Sequence, residues 1–418
     1  MRRRSSGVVR SGALDLIFAT GVAGGAGYAL TLFAGVELGP EGYVGFGVFW
    51  SSLFFAVSTL NGLQQETARA THPDPRGRGA AVVRDVTAGL ASFVFVVTLV
   101  SSPLWFPFIF DSSPWWIAVA LAFGLAGHTI VTAEIGMLHG IRQTRLIALA
   151  TGFDALLRLA VVFFALTATH DLGPISLAVV LPYVVLPVLI WVVARGRLQA
   201  VTVDTDRWTL TRNVGSTLLA AGASGAMISG ISLLIAAAGR AEPAGHLGAI
   251  IFAINITRAP LILVVGALQN FIVVRLRDRL DWRGVLVRLV LMVGAAGAVL
   301  AAVAAPVGPT VIAHLLNGHK LDPTLSAVIV GSGGLVALMS VTGAAIIARG
   351  RHSGNAAGWM VAAASTVVLL FVVPNFDAAL PLALILGPSA GLVVHAVAIL
   401  LDRQLPAGVS PLPVVPEV

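Results

Sequence analysis

Five ionisable residues, Asp15, Glu134, Asp154, Arg158 and Arg258, stand inside long apolar stretches of the sequence. A charge in a bilayer costs at least a few kcal/mol, so such residues are functional candidates. Arg258, within Asn255-Ile256-Thr257-Arg258-Ala259-Pro260, is the sharpest. Its guanidinium stays charged and can grip a phosphate or carboxylate through two parallel hydrogen bonds. Pro260 frees backbone carbonyls beside it. The competing reading pairs Arg258 with an acid on a neighbouring span. Asp154 and Arg158 are four residues apart, which sets them on one helix face as a self-neutralising structural pair. Asp15, Glu134 and Asp154 are also candidates for a carboxylate that binds a proton or a sodium ion during transport; Glu134 is placed near enough to a span end to reach water. Asn255, Gln64, Gln65, Gln269 and Asn270 offer amides, either for hydrogen bonds between helices or for sugar hydroxyls.

Other chemistries are poorly served. Cysteine is absent, which removes disulfides, thiolate metal sites and cysteine nucleophiles. His128 and His395 have no second ligand at metal spacing, so they read as core histidines and no metal is expected. Gly21 to Gly27 follows no strand and reads as close helix packing rather than a nucleotide loop. Lys320 is the only lysine and lies in no Walker motif, which excludes ATP hydrolysis within the chain. No cofactor is expected.

The elements that must hold these residues are membrane spans. With 57% hydrophobic and 11% charged residues in 418 and a mean hydropathy of +0.93, lipid has to be the solvent. About 20 apolar residues cross about 30 Å of hydrocarbon, and twelve such runs fall near 11–36, 43–64, 86–110, 115–139, 146–169, 175–194, 214–238, 247–273, 285–306, 324–348, 357–373 and 381–401. Segment 307–323 reads as a short interfacial helix. The basic start Met1-Arg2-Arg3-Arg4 resembles a signal peptide, but the apolar run after it is too long and stays as the first span.

Twelve spans place 22 of the 26 basic residues on one side, two on the other (Arg240 and Lys320) and two within spans. The excess marks the cytoplasmic side of an inner membrane, with both termini inside. The net charge of +7 then faces anionic headgroups of membrane lipids rather than nucleic acid.

The chain also repeats. Glu41 to Gly45 aligns with Ala244 to Gly248, Arg69 with Arg275, Gly136 and Arg142 with Gly343 and Arg349, and Pro182 with Pro388, at offsets of 203 to 207. The expected fold is an all-α integral membrane protein with two six-helix lobes, 1–200 and 201–405, followed by a proline-rich cytoplasmic tail, 406–418. Six spans per lobe give both copies one orientation and a pseudo-two-fold along the membrane normal, with a path between the lobes.

Leu38-Gly39-Pro40-Glu41-Gly42-Tyr43-Val44-Gly45-Phe46, the span 2 ending Gly62 to Arg69, and Gly136-Met137-Leu138-His139-Gly140-Ile141-Arg142 resemble the turn and exit motifs of a known family. It is the polysaccharide and lipid-linked oligosaccharide flippases of the multidrug/oligosaccharidyl-lipid/polysaccharide (MOP) exporter superfamily. Val44 departs from the pattern by setting the glycine one place later. The resemblance implies a V-shaped bundle around a water-filled, often cationic cavity. It also implies transport of a polyprenyl-pyrophosphate-linked glycan by alternating access, with glycan-assembly enzymes as partners. The alternatives are an ion-coupled multidrug exporter, a membrane glycosyltransferase or polymerase, and a non-transporting scaffold. An enzyme of that kind needs acidic groups on a substantial outer loop, which the chain lacks, so no catalysis is expected.

Overall fold

The computed structural model describes the backbone of residues 4–74, 79–110, 115–277 and 281–402, and their side chains except 4–13, 108–109, 259–271, 273–275 and 277. The tail 406–418 and the side chains of Gln269 and Asn270 therefore lie outside the described residues.

Among those residues the protein is helical apart from one two-stranded ribbon. The helices are α1 (Arg4–Ala70), α2 (Ala80–Ile109), α3 (Trp116–Gly140), α4 (Thr144–Ala168) and α5 (Leu172–Gln199). They continue with α6 (Arg207–Ile228), α7 (Ile231–Ala238), α8 (Ala244–Arg277), α9 (Trp282–Leu315), α10 (Pro323–Ala348), α11 (His352–Val372) and α12 (Phe376–Leu400). Among the described residues nine are long and apolar enough to cross a membrane, and ten if α6 and α7, bent by 63° at their break, count as one span. These helices form a two-lobed, all-α membrane fold, the fold class expected.

α1 carries two of the expected spans. Gly39 adopts φ 64° and ψ 178°, a left-handed conformation that glycine accepts without Cβ strain, and Pro40 starts the next helical segment. The chain folds back there, so residues 23–31 of one arm and 50–61 of the other line one cavity. The expected loop of Glu37 to Glu41 is thus a break inside continuous helix.

A second expectation is corrected at the other lobe. The segment 307–323 is not a separate interfacial helix: α9 runs on through Pro306 and Pro309 to Leu315. Prolines interrupt single hydrogen bonds of a membrane helix without ending it when neighbouring groups satisfy the backbone.

The lobes meet mainly through α1. Near the Gly39 break, Gly248 of α8 lies against the carbonyl of Pro40, leaving no room for a side chain. Towards the other end, a Cβ on Gly62 would sit 2.6 Å from the backbone of Thr217 in α6. Thr217 Oγ1 donates to the Gly62 carbonyl at 3.0 Å, and Asn213 Nδ2 to Glu66 Oε1 at 2.9 Å. At that arginine-rich end, β1 (Thr71–Pro73) pairs antiparallel with β2 (Val201–Val203). Asp206 caps α6 by accepting from Trp208 N at 2.8 Å and Thr209 N at 3.0 Å.

Candidate functional site

A cavity of about 350 Å³ lies where α1, α4, α8 and the α6–α7 break converge. Both arms of α1 contribute, with Tyr28 and Thr31 on the first and Trp50, Ser51, Phe54, Ser58 and Asn61 on the second. Asp154 and Arg158 enter from α4, Ser229 from the break, and Asn255 and Arg258 from α8. The fold therefore gathers four of the polar residues singled out by sequence, from helices about a hundred residues apart, onto one cavity between the lobes.

Arg258 lies 14 residues into α8, about 21 Å along its axis at 1.5 Å per residue. It is 4% exposed. No carboxylate lies within 4 Å of it among the described residues, so the acid-pair reading is not what is found. The guanidinium instead donates to the backbone carbonyl of Met227 and, at 3.3 Å, to Ser332 Oγ.

The reason lies in α6. That helix ends at Ile228, where Ser229 N and Gly230 N both turn back to the Gly225 carbonyl. The Met227 carbonyl thereby loses its helical donor, and a cation at a helix C-terminus satisfies both the oxygen and the partial negative charge there. Among the described residues Arg258 Nε finds no partner, and neither does Ser51 Oγ on the facing arm of α1.

Asp154 and Arg158 form the expected pair at 2.6 Å, with side-chain exposures of 24% and 5%. The pair is more than internal neutralisation, because both members line the cavity. Arg158 also donates to the Val179 carbonyl of α5 at 2.6 Å and lies 4.1 Å over the Tyr183 ring. Stacking and the carboxylate together hold this guanidinium in one orientation. Among the described lining residues two guanidinium groups stand against one carboxylate, a formal surplus of positive charge.

Asn255 bridges three elements: its Nδ2 donates to Tyr43 Oη at 3.2 Å, and its Oδ1 accepts from Ser232 Oγ at 2.9 Å. Ser58 and Ser229 meet at 3.2 Å across the lobes. Sequence reading missed Tyr28, Trp50, Ser51, Ser58 and Asn61, neutral residues that carry no signal until the helices around them are placed.

The remaining candidates lie elsewhere. Gln64 is half-buried, with its carbonyl against Gly136 of α3, and does not line the cavity. Gln65 and Asp15 are exposed on α1. Glu134 does not reach water as expected: it is 6% exposed in α3, and its Oε2 has no hydrogen-bond partner among the described residues. Local depth in the sequence misleads here because α3 is the central helix of its lobe, packed by α1, α2 and α5. His128 is half-buried against Tyr183, and neither ring nitrogen has a hydrogen-bond partner among the described residues. His395 is 0% exposed and bonded to Thr342 Oγ1 at 2.8 Å, as a core histidine is.

No family model matches the chain. An uncharacterised protein of Mycobacterium bovis is 29% identical over 407 residues, covering 94% of each chain. Among solved structures, the lipid II flippase MurJ in an inward closed conformation superposes with a TM-score of 0.69 at 10% identity, covering 91% of this chain and 87% of that one. An inward-facing multidrug resistance MATE family transporter of the MOP superfamily gives 0.63 at 14% identity, covering 90% and 93%. The chain therefore has the fold of these two-lobed, all-helical membrane transporters.

Proposed function

We propose that the chain is a transporter that moves an anionic, polyprenyl-pyrophosphate-linked oligosaccharide or polysaccharide precursor across the cytoplasmic membrane. The cavity between the lobes opens to alternate sides, with the arginine-rich end and both termini cytoplasmic. The observation that carries the reading is the surplus positive charge at Arg158 and Arg258, buried beside a carboxylate already committed to Arg158. A pyrophosphate suits two fixed guanidinium forks better than a cationic drug does. The fold shared with a MATE transporter and the aromatic residues Tyr28, Trp50 and Phe54 in the lining favour the second reading, a multidrug exporter.

In this account Arg258 and Arg158 hold the pyrophosphate, and Asn255, Ser51 and Asn61 meet sugar hydroxyls. Gln269 and Asn270, whose side chains lie outside the described residues, stay candidates for sugar hydroxyls on the strength of their residue type alone. Glu134, buried with an uncommitted oxygen, takes the coupling proton or cation in preference to Asp15 and to Asp154. Glycan-assembly enzymes at the cytoplasmic face would supply the cargo. No bond is made or broken in the cavity, so the protein works as a carrier and not as an enzyme. The test is Arg258→Ala in cells: lipid-linked glycan should accumulate at the cytoplasmic leaflet while the protein stays abundant. Normal export would overturn the cargo role.

A further inference from the structure

At the end of the bundle away from the arginine-rich loops, Glu242, His246 and Asp377 bring three ligand atoms within 4.8 Å of one another. Glu242 lies in the turn between α7 and α8, His246 in the first turn of α8, and Asp377 in the first turn of α12. The donors thus come from segments 131 residues apart in the chain, which is why sequence spacing gave no metal signal. Among the described residues the only ion pair within 4.0 Å that any of them makes is His246 Nε2 to Asp377 Oδ1, at 4.0 Å. None spends a ligand atom on a side-chain hydrogen bond among the described residues. Two carboxylates and an imidazole with free lone pairs therefore converge, and like charges at this separation repel unless a cation lies between them.

We propose that these three residues form a divalent transition-metal site on that face, of the kind that binds Zn²⁺. One nitrogen and two carboxylate oxygens are ligands zinc accepts, and three protein ligands leave the fourth position for water. Zinc at 2.0–2.2 Å from each donor sets tetrahedral ligands about 3.3 Å apart. The donors close to that spacing by side-chain rotation, which Asp377, with 79% of its side chain exposed, is free to make. The bound ion ties the start of α8 to the start of α12. Gly248, two residues beyond His246, packs on the Pro40 carbonyl, so the metal also fixes the α8 end on which the α1 break rests.

The test is titration of the full chain, purified in detergent with any affinity tag removed, with Zn²⁺ in a calorimeter and in parallel thermal melts. One ion per chain should bind and raise the melting temperature. His246→Ala, Asp377→Asn and Glu242→Gln should each weaken binding at least tenfold without changing the metal-free melt. His170→Ala and His319→Ala, at other histidines of the same end, should leave it intact. Absence of binding, binding indifferent to all three ligand substitutions, or loss on changing His170 or His319 would overturn the assignment.

Discussion

Arg258 donates to the Met227 carbonyl, so a cation of the cavity wall that pairs with no carboxylate among the described residues also caps the broken helix α6. This single contact joins three parts of the second lobe: α8 supplies the charge, the α6–α7 break supplies the exposed oxygen, and Ser332 of α10 holds the second amino group. The two contacts fix the guanidinium in one orientation in the absence of a ligand, which lowers the ordering cost of binding.

Arg258→Ala is expected to lower stability by about 1–3 kcal/mol, because the Met227 carbonyl is left buried without a donor. Arg258→Lys should recover most of that loss, since an ammonium can still cap the oxygen. It should recover anion binding only in part, since the planar fork is gone. Denaturation of the purified variants beside ligand binding separates the two roles.

Asp154→Asn removes the counter-charge of a guanidinium that is 5% exposed. The expected cost is on the order of 3 kcal/mol, as for other buried pairs broken from one side. Affinity for an anionic ligand should stay the same or rise, because the cavity becomes more positive. A fall in anion affinity at unchanged stability would show that Asp154 itself contacts the ligand.

Gly62→Ala should separate the lobes locally. A Cβ there stands 2.6 Å from the Thr217 backbone, and backbone cannot rotate away as a side chain can. Overpacking of this kind costs about 1–3 kcal/mol. Crosslinking between cysteines placed at Ser58 and Ser229, 3.2 Å apart in the parent, should drop in the variant.

Orientation can be read with little background because the chain has no native cysteine. Single substitutions Arg145→Cys and Arg207→Cys, at exposed positions of the arginine-rich end, should be labelled only from the cytoplasm. His170→Cys and Lys320→Cys, exposed at the opposite end, should be labelled only from outside. A reversed pattern contradicts the charge-based topology.

Much of the architecture was legible in the sequence, because a bilayer forces apolar runs of fixed length and sorts arginines to one side. The intramembrane charges were legible for the same reason: Arg258, Arg158 and Asp154 cannot be there without cause. Their meeting on one cavity was not legible. It depends on α4 and α8 packing against the same folded-back α1, and the repeat carries no information about that contact. Glu134 shows the limit of depth arguments, since a residue near a helix end is buried when its helix is central. The end of α9 was misplaced because the expected span closes at 306 and sets 307–323 apart, whereas the helix runs through Pro306 and Pro309 to Leu315.

The central claim is that the cavity between the lobes receives an anion. It is tested most directly by titrating the purified protein, in detergent, with a short-chain polyprenyl-pyrophosphate-linked sugar and, separately, with a cationic dye of the kind multidrug exporters carry. The account predicts saturable binding of the pyrophosphate lipid, weakened at least tenfold in Arg258→Ala and screened by salt, with no comparable effect on the dye. Tight binding of the dye that strengthens when Arg258 is removed, with none of the pyrophosphate lipid, would contradict it.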